Sequence, residues 1–351
     1  MNRYRLRIFA SCAAALCSAA MGLSLAAAGG EYHLLKTYSF GAAPGSATEY
    51  FDYVTVDSQA RRVYLSRGTS VQVIDADTGA SLGFIPGFKK QHGVALVPEF
   101  NRGFVTDGGA AKISIFDLKT LKTVGEAKSD PDTDCIVYDP ASKDVFSMNG
   151  DSHDSTVVNA RTGEVVKTIE LGGAPEFAVS DGRGRIYANL ADKDVIAAID
   201  TRTLEVKSRW PVAPAGEPTA LAIDREHRRL FSAGRKPAML VILNADTGQA
   251  VQSFPISNGT DAAAYDAKSR TIFVSTIEGK IHVFHEDSPN QFSILPTITS
   301  EFGAKTMGLD AKTGRLFLDT ADFGQPVAST DGRPARRWPM LGTFRVLVYG
   351  R

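Results

Sequence analysis

Residues 54–66 read VTVDSQARRVYLS: a short apolar run, a turn built on Asp57, and a second apolar run with an aromatic near its start. The same phrase returns as ALVPEFNRGFVT (95–106), IVYDPASKDVFS (136–147), AVSDGRGRIYAN (178–189), LAIDREHRRLFS (221–232), AAYDAKSRTIFV (263–274) and GLDAKTGRLFLD (308–319). The turn anchors are Asp57, Pro98, Asp139, Asp181, Asp224, Asp266 and Asp310, at spacings of 41, 41, 42, 43, 42 and 44 residues. A period near forty, filled by strands rather than helices, is the mark of a β-propeller blade. Seven copies predict an all-β, seven-bladed β-propeller of four-stranded antiparallel blades. They say much less about chemistry, because propellers host many unrelated functions.

Within the second unit, alternation of apolar and polar residues predicts strand a at Val94–Val97, b at Gly103–Thr106, c at Lys112–Asp117 and d at Leu121–Gly125. Strand c usually ends on Asp or Asn before a Thr-Gly or Thr-Leu turn, as in residues 74–79, 116–121, 159–163, 199–204 and 244–248. An Asx side chain there can accept from backbone amides ahead of it and tighten the c–d hairpin. The strand-b aromatics Tyr64, Phe104, Phe146, Tyr187, Phe231, Phe273 and Phe317 share one register, which suits packing between neighbouring blades. The last unit runs out after strand c, Thr343–Tyr349. A strand at Tyr32–Tyr38 is available to complete that blade, closing the ring and removing both free sheet edges.

Phe104-Val105-Thr106-Asp107, Tyr64-Leu65-Ser66-Arg67 and Phe273-Val274-Ser275-Thr276 each precede a V-x-V-x-D-like strand. They resemble the Tyr-Val-Thr-Asn motif of the YVTN-repeat β-propellers of bacterial and archaeal envelopes, over residues 31–351. The resemblance implies an exported binding or surface protein. Other propellers of similar appearance are lactonases, haem carriers or nucleic-acid binders.

Arg3, Arg5 and Arg7 precede an Ala/Leu-rich stretch that ends at Ala26-Ala27-Ala28, so residues 1–28 read as a secretory signal peptide and residues 29–351 as the propeller. A periplasmic or secreted protein with no transmembrane segment after cleavage is expected. Removing three Arg and no acids lowers Lys+Arg from 39 to 36 against 39 Asp+Glu. That slightly acidic balance argues against nucleic acid, which calls for a basic stripe. Only Cys135 remains after cleavage, so stability rests on packing rather than disulfides. A monomer is expected.

Five residues before the successive anchors stand Asp52, Gly93, Asp134, Glu176, Thr219, Asp261 and Lys305, with His92 and Glu217 just upstream of two of them. Equivalent positions of a radial fold converge on one axial mouth. Carboxylates arriving there from separate blades could hold Ca²⁺, or attract a cationic or sugar-like ligand. The b–c loop of the seventh unit, 321–342, is far longer than its counterparts and emerges on the same face. Its Arg333, Arg336, Arg337 and Trp338 could grip a carboxylate, a sugar or a partner surface. Asp151-Ser152-His153-Asp154 is too local to form a nucleophile–base–orienter triad.

Two functions follow. One is a non-enzymatic propeller that binds a small molecule or envelope protein at its axial face, with no catalytic residues and no cofactor beyond a Ca²⁺ ion. The alternative is a lactonase-like, metal-dependent hydrolase that uses Asp52, Asp134, Glu176 and Asp261.

Overall fold

Alternation of core-facing and solvent-facing residues produces seven sheets of four antiparallel strands, arranged as a β-propeller. The structure, a computed structural model, describes residue 1, residues 31–328 and residues 335–351. The signal segment read at 1–28 therefore falls almost wholly outside the described residues. Among the described residues, no helix is long and apolar enough to cross a membrane.

Blade 2 runs Gln91–Val97, Arg102–Asp107, Lys112–Asp117 and Thr123–Lys128. The first three strands contain the predicted ones. The fourth starts two residues later, because Leu121 takes a left-handed conformation (φ 59°) to donate its N–H to Asp117 O within the c–d turn. The Asx device operates in blades 1 to 5. Asp75, Asp117, Asn159, Asp200 and Asn244 each accept from the amides two and three residues ahead, at 2.8 to 3.1 Å. Asn159→Ala loses two such bonds and a third to Asp144. It is expected to destabilise the fold by about 1 kcal/mol, read as a fall in urea midpoint at unchanged slope.

Seven apolar clusters form the core, and each lies between two adjacent blades. Each contains one strand-b aromatic. Phe104 packs with Ile136, Val145 and Val158 of blade 3, and Phe146 with Ala178, Ile186 and Ala188 of blade 4. All seven aromatic side chains are fully buried, which leaves them to packing rather than to a ligand. The Ser, Thr or Asn two residues after the aromatic ties blades together at the axis. Ser66, Thr106, Asn189 and Ser275 donate to the carbonyls of Gln91, Asp134, Ala220 and Lys305 in the following blade.

Ring closure follows the expected route. His33–Ser39 pairs antiparallel with Arg345–Gly350, so the first strand of the propeller completes the sheet made by the last three. The chain then returns to blade 1 through residues 40–53. Arg67 fastens that return with no exposed surface on its side chain. Its guanidinium donates to Glu49 Oε1 at 2.8 and 3.1 Å, to Gln72 Oε1 at 2.6 Å and to Gly41 O at 2.9 Å, and lies 3.8 Å from the Phe344 ring centroid. Glu49 in turn accepts from Gly342 N at the end of the blade-7 loop.

Candidate functional site

The axial mouth is built by a defect repeated in strand a. In blades 2 to 6 the pairing of strand a with strand b slips between Gln91 and Val94, Thr133 and Ile136, Pro175 and Ala178, Pro218 and Ala220, and Thr260 and Ala262. Such bulges re-aim side chains that strict alternation would send to a sheet face. Asp134, Glu176, Thr219 and Asp261 sit in them, while Asp52 and Lys305 lie just ahead of the shorter strands Val54–Asp57 and Met307–Asp310. These six residues, with Tyr53, Arg235 and Thr306, line a cavity of about 140 Å³. The seventh position, Gly93, contributes no side chain: a Cβ there would come within 2.9 Å of Asp134 O. His92, one residue earlier, reaches the ring instead.

The charges are unevenly matched. Lys305 and Arg235 both pair with Asp261. His92 Nδ1 lies 2.6 Å from Asp52 Oδ2 and 3.2 Å from Asp134 Oδ1, and the Tyr50 hydroxyl is 3.1 Å away. Burial opposes the charge on His92, but the Asp52 hydrogen bond and the fields of Asp134 and Asp52 outweigh it and raise its pKa. Burial likewise works against the Asp52 carboxylate, which the His92 bond and the Lys305 charge hold below the ordinary value.

Asp134 and Glu176 are matched less well: Asp134 has only the 3.2 Å contact with His92, which Asp52 shares. Asp134 Oδ1 is buried without a hydrogen bond, and Glu176 makes no hydrogen bond or ion pair with any described residue. Burial, reinforced by neighbouring carboxylates, pushes their pKa values up to about 8 and about 7. The mouth therefore holds one side of balanced pairs and one side where Asp134 shares His92 with Asp52 and Glu176 has no paired cation.

Tyr50, Tyr53, Arg235 and Thr306 were not among the sequence candidates, and neither was the nearby Asp319. Asp319 follows Phe317 by two residues, the position at which other blades place Ser66, Thr106, Asn189 and Ser275. It is fully buried, accepts from Thr306 Oγ1 at 2.5 Å, and leaves Oδ2 without a partner. Burial, and then the nearby Asp52 charge, raise its pKa from 3.8 to about 8. A carboxyl at a position where four blades carry Ser, Thr or Asn and the other two carry Met148 and Ala233 was the available signal. Between about pH 4 and pH 8 the folded state keeps a proton on Asp319 that the unfolded chain has released, so stability falls as pH rises through that window. Asp319→Asn removes this contribution. Its melting temperature is expected to fall less steeply than the parent's between about pH 5 and pH 8; equal slopes would mean that Asp319 is ionised throughout.

Below the mouth, Tyr53 and Thr306 also border an apolar cavity of about 190 Å³ lined by Val94, Cys135, Ile136, Phe177 and Met307 among others. The Tyr53 ring packs on Phe177 at 5.4 Å across the axis and separates the polar chamber from the apolar one. Burial raises the Cys135 thiol to about 12, which makes it a poor nucleophile.

The remaining sequence candidates lie elsewhere. Glu217 does not line the cavity; it is partly exposed and pairs with Lys236 at 3.2 Å. Arg333 lies outside the described residues. The described part of the 321–342 loop pairs Phe323 with Pro339 and Val327 with Arg336, and none of it lines the cavity. It packs instead on the two connections that flank blade 7. Phe323 meets Phe302 at 5.0 Å and Phe51 at 6.4 Å, and the Arg337 guanidinium lies 5.5 Å from the Phe302 ring centroid. Trp338 is 60% exposed.

The fold is shared widely. The chain is similar to the structure titled Kuenenia stuttgartiensis hydrazine synthase, with a TM-score of 0.67 at 13% identity over 79% of this chain and 96% of that one. It is also similar to the RRP9 WD40 repeats, with a TM-score of 0.73 at 10% identity over 91% and 100%. For the Myceliophteria thermophila Cps50 (Swd1) β-propeller domain the TM-score is 0.69 at 12% identity over 92% and 100%. No model of a protein family matches the sequence, and no curated protein matches it. At these identities the likeness establishes the seven-bladed propeller fold and nothing finer.

Proposed function

We propose that this is an exported, non-enzymatic propeller of the YVTN-repeat kind that binds a small cationic ligand in its axial mouth. Asp134 and Glu176 are the groups that receive the cation. The observation that carries the reading is the mismatch just described: Lys305 and Arg235 are spent on Asp261, while Asp134 shares the single imidazole of His92 with Asp52 and Glu176 is buried with no paired cation. A bound ammonium would take over from the protons these carboxyls hold near neutral pH and remove the penalty of their burial. The cavity, about 140 Å³, admits an amine headgroup rather than a whole sugar. The same chemistry accepts a lysine side chain offered by an envelope protein. Export rests on the leader-like residues 1–28 and envelope location on the YVTN resemblance.

A second reading, a metal site serving hydrolysis, draws on one specific feature. Asp52, His92 and Asp134 place one ligand atom each within 4.8 Å of one another, and His92 Nε2 and Asp134 Oδ1 lack hydrogen-bond partners. A donor set that includes imidazole suits a transition ion better than Ca²⁺. Asp261, engaged by two cations, is a poor ligand for either.

Calorimetric titration of the purified protein with ethylamine, 1,4-diaminobutane, Ca²⁺ and acetate separates these readings. One equivalent of amine, bound with proton release that shows in the dependence of the heat on buffer ionisation, is expected. Binding of acetate but no amine would overturn the cationic reading, and binding of a divalent ion alone would favour the metal.

A further inference from the structure

On the face opposite the mouth, two departures from the repeat meet at one point. The residue after the last position at which strand c pairs with strand b donates its N–H to the carbonyl at the end of the a–b turn in blades 1 to 6. In blades 1 to 5 this residue is Ala76, Leu118, Ala160, Thr201 and Ala245; in blade 6 it is Glu286. The position faces the anchor carboxylate of the preceding blade, as the 3.0 Å bond from Thr201 Oγ1 to Asp139 Oδ2 illustrates. Blade 6 thus sets a carboxylate against a carboxylate. Three residues after the anchors stand Ala60, Asn101, Ser142, Gly184, His227, Ser269 and Thr313, so the single imidazole of that series falls beside the same pair.

The geometry points to a site for a divalent transition ion of the zinc class, with Asp224 Oδ2, Glu286 Oε1 and His227 Nδ1 as ligands. Nδ1 lies 2.7 Å from Oδ2 and 3.1 Å from Oε1, and the three donor atoms lie within 4.8 Å of one another. Glu286 is completely buried. Its Oε2 accepts from the Tyr265 hydroxyl, whereas Oε1, aimed at His227, has no hydrogen-bond partner.

No arginine neutralises this pair as one does elsewhere. Arg61 reaches Asp310 and Arg228 reaches Asp181 from the following blade. The equivalent Arg270 forms no ion pair with Asp224 among the described residues, and Arg229 is engaged by Pro289 O and Asn290. His227 is partly exposed, which gives an ion an entry path and a solvent-facing position for water, as in three-ligand zinc sites. An ion about 2.0–2.2 Å from each donor would replace the proton between His227 Nδ1 and Asp224 Oδ2 and move these atoms apart from their 2.7 Å separation.

The test is equilibrium dialysis of Zn²⁺ and Mg²⁺ against the whole protein and three variants. One Zn²⁺ held in preference to Mg²⁺, with an upward shift in melting temperature, is expected. Glu286→Ala installs the residue that three other blades carry, so the fold should persist while Zn²⁺ affinity drops at least about tenfold. His227→Ala should do the same. Asp134→Asn, at the opposite face, should leave this Zn²⁺ in place. Failure to bind Zn²⁺ overturns the proposal, as does binding that survives Glu286→Ala or that is lost in Asp134→Asn instead.

Discussion

Arg67→Ala is expected to destabilise the protein by about 3–5 kcal/mol, because it strands a buried carboxylate rather than merely deleting a contact. The Arg67 and Glu49 side chains are 0% and 1% exposed. Without the guanidinium, Glu49 keeps only the Gly342 amide among its described partners, and Gln72 and the Gly41 carbonyl lose their donor. The lesion falls on ring closure: residues 40–53 carry the chain from the sealing strand into blade 1. Unfolding in urea should show the loss as a lower midpoint, and His33–Ser39 should become the most protease-accessible strand. Arg67→Lys should recover little, since one ammonium cannot reproduce the fork of donors or the stack on Phe344. Near-native stability of Arg67→Ala would show that water replaces the guanidinium and that closure rests on strand pairing alone.

Replacing both buried carboxyls, Asp134→Asn with Glu176→Gln, should act in opposite directions on binding and stability. Amine affinity is expected to fall by about 10–100-fold, the loss of one or two charge-assisted hydrogen bonds. Stability near pH 8 should rise. There the unfolded chain carries both groups as solvated carboxylates, while the folded state must either protonate them or bury their charge. Because both pKa values are raised, at about 8 and about 7, the parent loses stability from about pH 4 upward and the double variant loses less. Reduced binding with unchanged or increased melting temperature identifies a site whose burial is a cost of function. Reduced binding together with unfolding would mean that the two carboxyls are structural.

The repeat was legible because blade geometry imposes it on every copy. Seven anchors, seven aromatics and the Asx turns follow from local turn chemistry and from a shared packing position, and the closing strand follows from a missing fourth strand. The ring of Asp52, Asp134, Glu176, Asp261 and Lys305 was legible for the same reason, since equivalent positions converge on an axis. Which ring members would pair was not legible. Arg235 enters from a b–c loop, and Asp319 occupies a place where four other blades carry Ser, Thr or Asn.

The 321–342 loop shows the limit from the other side. Its length marked it as unusual, but whether it reached the mouth depended on Phe302 and Phe51, aromatics from distant segments that hold Phe323 and Arg337 at the flank. Arg67 looked like the degenerate last letter of a motif. Only the path of residues 40–53 gives it Glu49 as a partner.

By itself, then, the sequence determined the blade count, the strand order, the closure and the positions that face the axis, all of which are periodic and locally encoded. Tertiary structure alone decided which carboxylates find a cation. That outcome depends on side chains that meet across blades, at distances where a few ångströms separate a neutralised pair from an unmatched buried charge.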